Sequence, residues 1–324
     1  MMTANRGHIL STADEDILGV HSLDSFSFTV PDLATAESFH KAFGLDVETS
    51  GNALLLRTFG SDHVWTRIFE AETKALNYLS FGVFDQDLDR FHQRLGQMGV
   101  KRLDPPKGVE SNGFWFRDPD GTYLELIVAP KSSPDRKNHG THPSSPEGIM
   151  GAPTNSKRVD TKPTRMAHIL VFTRNVQKAV DFYSSVLGLA LSDRCGDLIA
   201  FMHGRHGSDH HMIAFVKSDG PGIHHTSWDV GTINEIGVGA MQMADKGYSK
   251  GWGLGRHVLG SNLFHYVGDP WGSYAEYSCD IDFIPKQMTW EAGDYAPEDA
   301  FYIWGPTPPE DWDINHEWEA RKAR

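Results

Sequence analysis

The side chains in this sequence best suited to chemistry are histidines. There are 17, and His203, His206, His210, His211, His224, His225, His257 and His265 crowd one stretch of the second half. Imidazole is the commonest protein ligand for a metal ion and the side chain that titrates nearest neutrality. For any one of them taken alone, a plain surface position is the competing reading. His168 and His225, however, combine with Glu276 into a set with a definite use. Two imidazoles and a carboxylate hold a metal from one side and leave adjacent coordination positions open, as in iron(II) oxygenases. A structural zinc site would instead close all four positions with Cys and His, and Cys195 and Cys279 are the only cysteines. The three residues lie far apart in the chain, so the elements that carry them must bring them together.

An internal repeat points to those elements. Residues 118–125 read DPDGTYLE and residues 269–276 read DPWGSYAE. Upstream, TVPDLATAESFHKAFGL (29–45) parallels TRNVQKAVDFYSSVLGL (173–189), each ending in Gly-Leu, at Gly44 and Gly188. Between these markers LNYLSFGV (76–83) matches IHHTSWDV (223–230). HILVFT reads as a strand, Val176 to Leu187 has helical spacing, and LIAFMHG and HMIAFVK are apolar strand candidates around a polar turn. IHHTSWDV restarts the cycle, followed by a helix around Ile233 to Lys246 and two closing strands. The expected fold is α+β, with two tandem domains of two βαβββ modules each. Their expected spans are 20–130 and 165–285. A Pro- and Ser-rich linker joins them over 131–164, and an acidic, Trp-rich tail occupies 286–324. That tail reads as a packed cover or as a lid, with Trp290, Trp304 and Trp312 as its aromatic anchors.

The repeat also sharpens the ligand set. In the repeat, His168 falls on Asp24, His225 on Tyr78 and Glu276 on Glu125, so the first half retains only the carboxylate. One metal per chain is therefore expected. Strand alternation puts Tyr274 and Glu276 on one face and Ala275 on the other. By the same alternation, one member of each doublet, His210 and His224, should turn away from the metal and serve in a supporting role.

With these motifs in view the sequence resembles the type I extradiol dioxygenases of the vicinal oxygen chelate superfamily, the catechol 2,3-dioxygenase and 2,3-dihydroxybiphenyl 1,2-dioxygenase kind. Gly255-Arg256-His257, Tyr266, Asp269-Pro270-Trp271-Gly272 and Glu276 match that family's closing signature. His265 departs from it, standing where an aliphatic or aromatic residue is usual. The resemblance covers residues 20 to 285. It implies His168, His225 and Glu276 as metal ligands, His211 as the acid–base residue, and His257 and Tyr266 as residues that bind and orient the substrate. It further implies Fe(II), with Mn(II) as the alternative ion. The implied reaction opens a catecholic ring beside the diol with O2, giving a muconic semialdehyde-type product in aromatic compound catabolism. Assembly into a homo-oligomer is expected on the same ground.

Composition narrows the classes. A formal charge of −13 argues against a nucleic-acid partner, whose phosphates need basic surface. Two cysteines suit a reducing compartment. No apolar run approaches membrane-spanning length and the start lacks a signal core, so a cytoplasmic protein with no membrane partner is expected. Two rival readings share the architecture or the ligand. One is a glyoxalase-like or resistance-type enzyme with a nonredox metal, marked by ligands split between paired modules and a second Glu or Gln. The other is a module that sequesters an aromatic compound without chemistry. The set His211, His257 and Tyr266 tells against the first, and the full set of metal ligands against the second.

Overall fold

The computed structural model describes residues 16–138, 145–286 and 288–323. The first half runs β1 (Ser22–Val30), α1 (Leu33–Ala42), β2 (Asp46–Ser50), β3 (Ala53–Arg57), β4 (Thr66–Glu70), β5 (Ala75–Val83), α2 (Leu88–Gln97), β6 (Phe114–Arg117) and β7 (Tyr123–Val128). The second begins β8 (Arg165–Thr173), α3 (Val176–Leu187), β9 (Ala190–Cys195), β10 (Ile199–His203), β11 (Ser208–Asp209) and β12 (Ile213–Lys217). It continues β13 (Gly222–Asp229), α4 (Ile233–Asp245), β14 (Gly251–His257), β15 (Leu263–Gly268) and β16 (Tyr274–Cys279). The tail adds β17 (Phe283–Ile284), β18 (Gly293–Asp294), α5 (Pro297–Ala300), β19 (Tyr302–Trp304) and α6 (His316–Lys322).

Three modules have the expected strand–helix–three-strand form, and the second is short by one strand. Between α2 and β6 the missing strand is reduced to a single bridge, Leu103 to Trp115. Pro105 and Pro106 follow at once, and a proline has no N–H to give to a ladder. The helices stop where the repeat indicated. Gly188 closes α3 in the left-handed conformation, φ 73°, which a residue without a Cβ adopts at little cost. The opposite ends match too, since Asp32 and Asn175 cap the N-termini of α1 and α3 with their side chains.

The first half forms a seven-stranded sheet in the order β2-β3-β4-β1-β5-β7-β6. The second forms ten strands, β18-β9-β10-β12-β8-β13-β16-β15-β14-β19. Strands β18 and β19 come from the tail and cover both edges of the larger sheet, which would otherwise present unpaired N–H and C=O groups. The tail is thus built into the sheet.

One hydrophobic core runs through both halves, with Phe39, Phe43 and Phe81 alongside Tyr183, Met243 and Tyr277. The rings of Phe43 and Tyr277 stack at 3.9 Å, and the Tyr277 hydroxyl donates to the Phe43 carbonyl at 2.8 Å. Glu317 of α6 ties the halves again by accepting from the backbone N–H groups of Leu76 and Ile223. Within 131–164 the described residues hold one 3-10 turn, Asn155–Lys157, and no longer element. That segment is anchored at each end, through Ser132 to β1 and Thr161 to Gln242 of α4. No helix of the described residues is long and apolar enough to cross a membrane.

Candidate active site

The ligand set sits on three adjacent strands at the middle of the ten-stranded sheet. In the ladders Ser227 of β13 pairs with His168 of β8 on one side and with Glu276 of β16 on the other. Paired residues face the same way, so His168, Ser227 and Glu276 form one row across the sheet. His225 stands two residues along β13 and shares that face. Ser227 is small, and the longer side chains on either side of it reach toward one another above it. His168 Nε2 lies 3.3 Å from Glu276 Oε2 and 3.4 Å from His225 Nε2, and His225 Nε2 lies 3.8 Å from Glu276 Oε2.

These three residues are buried and are the only group of three or more His, Cys, Asp or Glu among the described residues whose ligand atoms converge, all within 4.8 Å of one another. Glu276 Oε2 is fully buried and has no hydrogen-bond partner. A buried acceptor in that state is costly unless something positive meets it. A divalent cation fits this donor set. Glu276 is oriented from behind by Asn262, whose amide donates to Oε1 at 3.1 Å and to Ser278 at 3.0 Å. Behind His225, His224 Nε2 faces the Trp312 carbonyl at 2.9 Å. A carbonyl only accepts, so that nitrogen carries the proton and His224 Nδ1 is an acceptor. It receives the Nδ1 proton of His225 at 2.8 Å, which leaves His225 Nε2 with a lone pair for a metal. Burial, then neighbouring histidines, holds His225 well below its usual pKa; burial likewise brings His224 to about 4. Both stay neutral, as ligation requires.

Around the ligand atoms opens a cavity of about 400 Å³, lined at its polar end by His168, His211, His225, His257 and Tyr266. The structure thus brings His168, His211, His225, His257, Tyr266 and Glu276 together at one site. The His211 ring lies 4.1 Å from that of His168. His257 Nδ1–H donates to the Phe301 carbonyl at 2.9 Å, so its Nε2 accepts the Tyr266 hydroxyl, also at 2.9 Å. Burial first, and Glu276 second, raises the Tyr266 phenol well above its usual value. It therefore remains a donor. Phe201, Leu259, Trp252 and Trp312 form apolar walls.

Four local expectations are corrected. The ladder register aligns His168 with Ser25 rather than Asp24, because Ser25 pairs with Ser80 as His168 pairs with Ser227; Asp24 is skipped in a bulge, as Ala167 is. His224 lies outside the three-ligand group, yet its ring does not leave the cavity face. A bulge between Ile223 and His225 breaks the alternation and leaves both rings lining the cavity. His211 precedes β12 instead of lying on it. Lastly, ligands split between modules do not mark the glyoxalase-like rival, since His168 comes from the third module here and the other two from the fourth. The unusual His265 is not among the cavity residues; on β15 it is adjacent to Tyr266 and faces the other side. Of the three tail tryptophans, Trp312 alone lines the cavity.

In the first half, Tyr78 and Glu125 keep the same register as His225 and Glu276. Glu125 is satisfied without an ion, accepting hydroxyl protons from Ser80 at 2.6 Å and from Ser111.

The family model described as Glyoxalase/Bleomycin resistance protein/Dioxygenase superfamily matches residues 165–277. Over 292 residues the chain is 48% identical to Metapyrocatechase 2 of Cupriavidus necator, covering 90% of this chain and 91% of that one. The chain belongs to the extradiol dioxygenase family. Among solved structures, homoprotocatechuate 2,3-dioxygenase from Brevibacterium fuscum has a TM-score of 0.72 at 19% identity, covering 91% of this dioxygenase and 92% of that chain. The Mn(II)-bound glyoxalase from Novosphingobium aromaticivorans has a TM-score of 0.71 at 23% identity, with 90% and 93% covered. At those identities both speak for the fold.

Asn262 and the tail residue Phe301 were not assigned to the site from the sequence, whereas His224 had a supporting role there and Trp312 a place in a cover or lid. The asparagine had no signal there, because its role depends on a contact between the turn before β15 and β16.

Proposed function

We propose that this dioxygenase opens a catechol-type diol on the bond outside the two hydroxyls, using O2 and one Fe(II) per chain held by His168, His225 and Glu276. The convergence of the three ligand atoms around the unpartnered Glu276 oxygen, at the polar end of an otherwise apolar cavity, carries this reading. When bound, the metal would supply open positions for a chelating diol and O2 and a path for electrons between them. The protein's own residues do the rest. The apolar walls receive the ring face and exclude water, which strengthens every polar contact inside. His211 takes the proton of one ring hydroxyl and returns it as the ring opens. The Tyr266–His257 pair, fixed by the Phe301 carbonyl, aims a polar edge at the diol. Cavity size and wall chemistry accommodate a ring with an apolar substituent. The second half is the catalytic unit in this reading and the first half its scaffold.

The test is oxygen consumption by the purified protein, reconstituted separately with Fe(II) and Mn(II), across mono- and bicyclic catechols. Stoichiometric O2 uptake with a yellow ring-opened product, greatest with Fe(II), is expected. No uptake with either metal would overturn the reading, and greater turnover with Mn(II) would reassign the ion.

A further inference from the structure

The site described so far ends at His211, yet two buried groups stand in line behind it. His211 Nδ1 lies 3.0 Å from His210 Nδ1, and His210 Nε2 lies 2.7 Å from Asp193 Oδ2. All three residues are buried, with His210 fully enclosed. The line is held from several sides. Asp193 Oδ1 accepts the Gly293 backbone N–H at 2.7 Å. The Ser192 hydroxyl donates to the His210 carbonyl, and the His210 N–H donates to the Asp282 carbonyl at 2.6 Å. Gly260, at φ 87°, closes over the contact, and a Cβ there would come within 3.3 Å of His211 Cε1 and 3.4 Å of His210 Nδ1. Upstream, the buried Arg165 guanidinium pairs with Asp209 at 2.5 Å and fixes the start of the segment.

We propose that Asp193 and His210 are positioning residues that set the tautomer of His211, placing its proton on Nδ1 and an acceptor nitrogen toward the substrate. The inference rests on the acid–base role proposed above for His211. The assignment follows from donor and acceptor chemistry alone. A carboxylate only accepts, so His210 Nε2 carries a proton and, in the neutral ring, His210 Nδ1 is an acceptor. A contact of 3.0 Å between two Nδ1 atoms needs one donor, which must then be His211. Its remaining nitrogen, Nε2, is left with a lone pair. On accepting the proton of a ring hydroxyl there, His211 can release its Nδ1 proton to His210 Nδ1. The positive charge then rests on His210 against the Asp193 carboxylate, one residue back from the cavity, and the reverse shift returns the proton. No atom or electron is gained or lost.

Asp193→Asn tests this, because the replacement cannot turn round. The Gly293 N–H requires the side-chain oxygen on its own side, which places the amide N–H2 toward His210 Nε2. That nitrogen must then accept, His210 Nδ1 must donate, and His211 must carry its proton on Nε2. Heteronuclear NMR of isotope-labelled histidine rings, on the full chain loaded with diamagnetic Zn(II), reads the tautomer without any turnover. We expect a reversed His211 tautomer in Asp193→Asn. We also expect kcat with Fe(II) to fall on the order of 10²-fold, with KM and metal content little changed. Asp193→Glu, which keeps the carboxylate, should recover the wild-type tautomer and part of the rate. If Asp193→Asn does not fold, His210→Phe removes the partner and should leave His211 with mixed tautomers. A wild-type His211 tautomer in Asp193→Asn, or in His210→Phe where that variant stands in for it, would overturn the inference. Full turnover in His211→Ala would instead strike the acid–base assignment beneath it.

Discussion

At the scale of single residues, the site separates into groups that hold a metal and groups that work beside it, and substitutions should separate the two. His168→Ala or Glu276→Ala removes one of three converging donors, and we expect the purified variant to lose its metal by elemental analysis; full occupancy would refute the ligand set. His211→Ala leaves all three donors in place. It should retain metal and bind catechol while kcat drops between about 10² and 10⁴-fold, a split that steady-state kinetics and metal content together reveal. Supporting contacts matter at this scale because they decide protonation. His224, by accepting from His225 Nδ1, leaves the ligating nitrogen free, and Asn262 turns the Glu276 carboxylate. These assignments need only the rule that carbonyls and carboxylates accept and amides donate.

At the scale of elements, three central strands fix the donors and the tail fixes the wall. The strand row His168–Ser227–Glu276 is a property of register, and a slip by one residue would send the whole set to the opposite face. The tail enters through Trp312, whose ring packs 4.5 Å from Tyr266 and 4.7 Å from each of Trp252, Tyr274 and His224. Trp312→Ala should cost about 3–5 kcal/mol of stability, seen as a lower urea midpoint. It should also raise KM for catechol more than it lowers metal content. An unchanged KM would mean that this part of the tail covers the sheet without shaping the cavity. A similar ring at this position, as in Trp312→Phe, should recover most of both.

The whole molecule carries a set of buried neutral imidazoles whose cost appears as pH falls. Burial lowers His40 and His265 from 6.5 to about 4, and burial with the charge of His206 lowers His21 to about 3. Unfolded, these rings take up protons near 6.5, so between that pH and about 4 the unfolded chain binds more protons than the folded one. Stability is therefore complete above 6.5 and lost as pH drops through that window, by up to about 1.4 kcal/mol per pH unit for each ring. Urea unfolding at pH 7.5 and pH 5 should show a clearly lower midpoint at pH 5, and a flat profile would show that these rings are not neutral in the folded state. The shared core makes this a property of both halves, since His40 belongs to the first and His265 to the second while Phe43 and Tyr277 stack between them.

Much of this was legible in the sequence, because the repeat carries its own register. Once DPDGTYLE and DPWGSYAE were aligned, Glu276, His225 and the strands that bear them followed from local periodicity, and the resemblance to extradiol dioxygenases named the remaining roles. What local pattern cannot encode is where a ladder slips. The bulges at Asp24 and before His225 moved one equivalence by a residue and turned His224 into the cavity, and only the pairing partners across the sheet reveal them. The same holds for the tail. Its Pro- and Trp-rich sequence has no periodicity to read, and its two edge strands exist only because the sheet offers unpaired edges. Asp193 stands on β9, apart from the neighbouring His210 and His211, and the hydrogen bond that extends their line to it is a fact of tertiary contact alone.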